Sequence, residues 1–263
     1  MGKIDDTFKV ILSRKKKAFI PFFTAFYPTK ELFREFLMRA DDAEADFIEI
    51  GIPFSDPLAD GELIQYSSQW ALERRFSLTD FFEEAARMKN RLRSSLILMS
   101  YLNPLLQRGI SNLGREMEEA GIEGVIVPDL PFEESSPLKE ILSSHEVDLI
   151  YLVAPPTGNR RMLKICQHSQ GFIYLVSLSG VTGMRQKLPE NLADYIKKVR
   201  EITAKPLCVG FGISNTRQAS KIAEYSDGII VGSMLINLIK GRERERTLPK
   251  EIGIRLKDLR EVI

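Results

Sequence analysis

The chain has 263 residues, enough for two ordinary domains or one large barrel. Hydrophobic residues make up 44% and charged residues 28%, the balance of an ordinary globular protein. The 37 basic and 36 acidic side chains nearly cancel, which argues against binding nucleic acid through a broad basic face. Cys166, Cys208, His145 and His168 show no spacing of a metal site or a disulfide framework, so an acid or base is sought among Asp, Glu and Tyr. No apolar run reaches membrane-spanning length. The first residues carry acids early and their basic run late, the wrong order for a secretory signal. A cytoplasmic protein without a membrane partner is expected.

Residues 4–15 read as a short amphipathic helix with Ile4, Phe8, Ile11 and Leu12 on one face. Eight short apolar runs follow: 18–24, 47–50, 96–102, 124–128, 149–154, 172–177, 206–210 and 228–231. None alternates clearly, as expected of strands covered on both faces of a parallel sheet. Amphipathic segments of helical length lie between them. Thr29 is placed to cap a helix burying Leu32, Phe33, Phe36, Leu37 and Ala40. Ser77 with Asp80 has the spacing of a capping box. Gly121 can end the helix of Leu113, Met117 and Ala120 in the left-handed conformation. Ser135, Asn159, Pro189 and Ser214 open four more helices, and 248–259 is the last. Eight strands alternating with helices suit a (β/α)8 TIM barrel filling residues 1–263 as a single domain, with an extra N-terminal helix. A doubly wound sheet is the alternative. The connections after the second and sixth strands are enlarged, and barrel active sites are built from loops on that face.

The second of these strands carries the most informative stretch, Phe47 to Gly61, FIEIGIPFSDPLADG. Glu49 sits in a buried strand end, where an unpaired charge costs several kcal/mol or shifts its pKa. Asp60 follows on the loop. Two such carboxylates suit acid–base chemistry on one bound molecule; the competing reading is a buried ion pair and a turn cap. Later strands end in small turns containing Gly183, Gly212, Gly232 and Ser233. Backbone N–H groups exposed there form a nest for a phosphate, unless the glycines only serve sharp turns.

These motifs resemble the tryptophan synthase α-subunit family. The likeness continues through Ile64-Gln65, Tyr101-Leu-Asn-Pro104, Gly124–Pro131, Tyr151–Pro155, Ser179–Gly183, Gly210–Ser214 and Val231–Ser233, in order over nearly the whole chain. It implies a TIM barrel lyase that cleaves indole-3-glycerol phosphate to indole and glyceraldehyde 3-phosphate. It implies no cofactor or metal in this chain, and a β-subunit partner carrying pyridoxal phosphate in an α2β2 assembly. By the same likeness, Glu49 protonates C3 of the indole ring and Asp60 handles the indole N–H proton. Tyr174 supports the glutamate, and Thr182 of the sixth loop bonds the aspartate on closure. Phe22, Ile64, Leu98 and Tyr101 line the indole slot, and Asp56 contacts the β-subunit.

Departures from the family pattern are visible, Leu178 before the sixth-loop turn and Pro156 after the fifth strand among them. Phe26 and Tyr27 stand after the first strand where the family usually has Gly-Asp, beside the expected mouth of the site. They motivate a second reading, a catalytically weakened barrel kept as an allosteric activator of the β-subunit. A third, another phosphate-binding barrel enzyme, fits the glycine turns but not the long loop with Asp60.

Overall fold

The computed structural model describes residues 2–176, 191–210 and 212–263. Among these, nine parallel strands form one sheet: β1 (Ala18–Thr24), β2 (Phe47–Gly51), β3 (Ser95–Met99), β4 (Ile122–Ile126), β5 (Asp148–Ile150), β6 (Leu152–Val153), β7 (Ile173–Val176), β8 (Leu207–Gly210) and β9 (Gly228–Val231). Their order is β5-β4-β3-β2-β1-β9-β8-β7-β6. The two ends of that series are consecutive in the chain, separated by Tyr151 alone. They are two halves of the fifth expected strand. The Tyr174 N–H still donates to the Tyr151 carbonyl at 3.1 Å, so the sheet closes into the TIM barrel rather than a doubly wound sheet.

Helices follow the strands around the outside. Thr29 caps Lys30–Asp42 by accepting from the Leu32 N–H at 3.3 Å, and Ser77 caps Leu78–Met88 by accepting from Asp80 at 3.2 Å. Gly121 ends Ile110–Ala120 with φ 74°, a left-handed conformation glycine adopts at little cost. The cap of Thr216–Ala223 is Asn215 rather than Ser214. Pro189 lies outside the described residues.

The third strand ends at Met99, not Leu102. Leu102 opens a helix, Leu102–Arg108, that the apolar run concealed. Its first N–H donates to the Asp129 carboxylate at 2.9 Å, and Pro104 lies in its first turn, where no intrahelical donor is missed.

Each strand buries both faces. Outward residues such as Ile48, Ile50, Leu96 and Leu98 pack beneath the helices. Inward residues Ile20, Phe22, Phe47, Ile97, Met99, Ile126, Tyr174, Cys208 and Ile230 fill the barrel. Helix Lys3–Ser13 plugs its lower end with Ile4, Phe8 and Ile11. The Phe8 ring stacks on Phe47 at 5.2 Å and tilts against Phe172 at 5.7 Å. Burying one such ring contributes about 2–3 kcal/mol. With the bottom closed, the upper end of the barrel is left for a ligand.

Candidate active site

Glu49 is held on β2 opposite Phe22 of β1 and Ile97 of β3. Strand alternation turns it inward, two residues above Phe47. It is 1% exposed, and neither carboxyl oxygen has a hydrogen-bond partner among the described residues. Burial, helped by the charge of nearby Asp60, pushes its pKa up to about 8. At neutral pH this is a protonated acid with no hydrogen-bond partner among the described residues.

Asp60 is held differently. Its loop leaves β2 at Gly51 and returns to helix Glu62–Glu73. Tyr101 pins the loop from behind: its hydroxyl oxygen accepts the Ala59 N–H at 2.8 Å and its proton goes to the Asp60 carboxylate. Phe54 stacks on the Tyr101 ring at 5.1 Å. Burial raises the Asp60 pKa to about 6, with the Tyr101 hydrogen bond pulling the other way. Asp60 is thus the stronger acid of the pair. One carboxyl keeps its proton while the other gives it up, the separation needed for distinct acid and base roles.

Both carboxyl groups face a cleft at the C-terminal ends of the strands. Phe22, Ile64 and Tyr174 line it, together with Gly212, Gly232 and Ser233. Burial holds the Tyr174 hydroxyl well above its ordinary pKa, so it stays a donor. The glycines make this packing feasible. A Cβ at Gly51 would meet the Phe22 ring at 2.5 Å, one at Gly232 would meet it at 2.9 Å, and one at Gly210 would overlap the Tyr174 hydroxyl. Gly212 has φ 81°, a left-handed conformation that leaves its backbone bare toward the cleft.

Other expected residues fall elsewhere. Leu98 does not line the cleft; it points outward under the helices. Met99, one residue on, takes that place, and Ile230 joins it. A one-residue slip in a strand exchanges its faces. The inward side chain of Ile97 implies Met99, and the inward-facing position of Gly228 implies Ile230, once register is known. Tyr101 stands behind Asp60 rather than against the cavity. Asp56 is exposed on the outer side of the loop, beside Leu58, which is 88% exposed. Thr182 and Gly183 lie outside the described residues.

Phe26 and Tyr27 are not at the cleft. Phe26 packs edge-on against Phe33 at 5.8 Å and near Phe76 at 5.6 Å, and Tyr27 is buried against Tyr66 and Trp70. The feature that suggested a weakened catalyst therefore does not touch the cavity.

A family model described as tryptophan synthase alpha chain matches residues 8–260. The chain belongs to this family. It is 43% identical to a tryptophan synthase alpha chain of Chloroflexus aggregans over 252 residues, 95% of this chain and 92% of that one. It is 40% identical to one from Synechococcus elongatus, covering 96% of each. A crystal structure of tryptophan synthase subunit alpha from Legionella pneumophila superposes with a TM-score of 0.91 at 35% identity, covering 100% of this chain and 98% of that one. The family's enzyme is a lyase of tryptophan biosynthesis that cleaves indole-3-glycerol phosphate. It needs no cofactor of its own and works with a β-subunit that carries pyridoxal phosphate. Membership makes the chain a carbon–carbon lyase of this class.

Proposed function

We propose that Glu49 and Asp60 are the acid–base pair that cleaves indole-3-glycerol phosphate in this chain. The carrying observation is the buried Glu49 carboxyl, unpartnered among the described residues and facing the cleft beside Asp60. The indole ring lies between Phe22, Ile64, Met99 and Ile230. Its N–H points to Asp60 and its C3 to Glu49. The glycerol phosphate arm runs toward Gly212, Gly232 and Ser233.

The chemistry follows from proton positions. Glu49 gives its proton to C3, and the ring nitrogen becomes cationic. Asp60, ionised, stabilises the N–H proton, or takes it and returns it to the ring nitrogen as the carbon–carbon bond breaks. The Glu49 carboxylate then accepts the proton of the side-chain hydroxyl next to C3. The carbon–carbon bond breaks, its electrons restore the ring, and the hydroxyl carbon becomes the aldehyde of glyceraldehyde 3-phosphate. Glu49 ends as it began. Protonation at carbon is slow without a positioned acid, and such catalysis is worth about 10²–10⁴ in rate. Tyr174 holds the Glu49 side of the cleft.

The outer side of the Asp60 loop, Asp56 with exposed Leu58, faces the β-subunit in an α2β2 assembly, and the single barrel domain works in the cytoplasm. No described helix is long and apolar enough to cross a membrane.

The test is indole release from indole-3-glycerol phosphate by Glu49→Gln, assayed with β-subunit present. Release is expected to fall by about 10³-fold or more while binding of glycerol phosphate is kept. Unchanged release would refute the assignment.

A further inference from the structure

Glu243 lies in the turn beyond helix Ser233–Ile239 and is buried. A single oxygen, Oε1, accepts three hydrogen bonds: from the Tyr66 hydroxyl at 2.7 Å, the Gly241 N–H at 2.9 Å and the Tyr27 hydroxyl at 3.1 Å. Each donor belongs to a different piece of the molecule. Tyr27 is in the turn after β1, Tyr66 is in helix Glu62–Glu73, and Gly241 follows helix Ser233–Ile239. Lys240 Nζ sits 4.5 Å above the Tyr66 ring, and Trp70 donates to the Pro28 carbonyl at 3.0 Å. A second tie, Thr24 to Ser67 at 2.6 Å, joins β1 to the same helix.

The two helices that meet at Glu243 are neighbours on the outside of the barrel, and each carries part of the cleft lining. Helix Glu62–Glu73 starts two residues after Asp60 and contributes Ile64, and Gln65 Nε2 donates to the Asp60 carbonyl at 2.9 Å. Helix Ser233–Ile239 starts at Ser233, which also lines the cleft. Burial pulls the Glu243 carboxyl upward, but the hydrogen bonds from Tyr66, Gly241 and Tyr27 outweigh it and leave it below the usual range. A charged acceptor makes shorter and stronger bonds than a neutral one.

We propose that Glu243, acting through Tyr66, is a positioning residue for the cleavage: it fixes helix Glu62–Glu73 against helix Ser233–Ile239 and so sets the spacing between Asp60 and the turn at Ser233. The inference rests on the role given to Asp60 above. It makes Tyr27 a structural part of the reaction centre without contact to substrate. It also accounts for an acid buried well outside the cavity.

A mutant cycle tests it. Glu243→Gln keeps the shape and removes the charge, and Tyr66→Phe removes one donor if the first variant folds poorly. Each is made alone and with Asp60→Asn, and indole release by the full chain with its β-subunit is followed at saturating and limiting substrate. Misplacing a catalytic group by a fraction of an ångström lowers kcat by about ten-fold, and KM is expected to stay within about two-fold. In the Asp60→Asn background the same changes are expected to leave the remaining rate within about two-fold, because the effect travels through Asp60. An equal fold loss in both backgrounds, a rise in KM alone, or no loss from either single variant overturns the proposal. Full activity of Asp60→Asn alone would instead refute the acid–base reading, so the two failures are separable.

Discussion

The barrel interior is one continuous column, and its two ends are built on opposite rules. At the bottom, Phe47 of β2 meets Phe8 of the N-terminal helix and Phe172, ring against ring. At the top, Glu49 of the same strand and the same face meets nothing it can bond among the described residues. Two residues separate a position that stabilises the fold from one that burdens it. The difference teaches that inward direction alone does not define a core. The lower end is closed by a helix and filled with apolar rings. The upper end is left open, and the side chains there are kept for a ligand.

Removing a ring from the bottom should separate the two ends most visibly. Phe8→Ala is expected to lower stability by about 3–5 kcal/mol in a urea titration. Indole release per folded molecule should stay within about two-fold, since no part of the cleft is touched. A large fall in rate with stability intact would mean that the ends are not independent.

The opposite exchange removes the burden at the top. The Glu49 carboxyl has an ordinary pKa of 4.5 and a folded one of about 8. Below pH 4.5 both folded and unfolded chains are protonated there, and the group adds nothing to the pH dependence. Between these values the unfolded chain releases the proton and the folded chain keeps it, so stability falls as pH rises. Each pH unit is worth about 1.4 kcal/mol, which gives about 3 kcal/mol near pH 7. Glu49→Gln should therefore gain stability over the parent chain from pH 5 to pH 8 in parallel unfolding curves. Curves that stay parallel would show that Glu49 is ionised in the fold.

The rate should carry the same signature. Glu49 must be protonated and Asp60 ionised, so kcat/KM is expected to peak between the two apparent pKa values of the pair, about 6 and about 8. Tyr101→Phe removes the proton held to Asp60 and the acceptor for Ala59, and should lower release by about ten-fold while moving the acid limb upward. An unmoved limb would place the Asp60 loop under other control.

Much of this arrangement is legible in the sequence, for physical reasons. Strands covered on both faces make unbroken apolar runs, and helices between them show their period. A glutamate inside such a run is conspicuous because burial is expensive, and glycines at strand ends mark close approach. Gly51, Gly210 and Gly232 prove to be gaps for Phe22 and Tyr174, a packing need that the sequence cannot distinguish from an anion turn. Register is the weaker part. Leu98 and Met99 are adjacent, both apolar and both buried, and only the pairing of β3 with β2 tells which one faces the cavity. The helix at Leu102 is hidden for a similar reason: its start is set by Asp129, 27 residues away. The aromatic pair Phe26 and Tyr27 reads as an obstruction at the mouth. Apart from Phe33, its real partners, Tyr66, Trp70, Phe76 and Glu243, are distant in the chain and leave no local signal.

The most direct measurement of the central claim is a carbon-detected NMR titration of the Glu49 side-chain carboxyl in the full chain. This carboxyl is expected to hold its proton through neutral pH and lose it near 8. A midpoint in the ordinary carboxylate range, near 4.5, would contradict that claim.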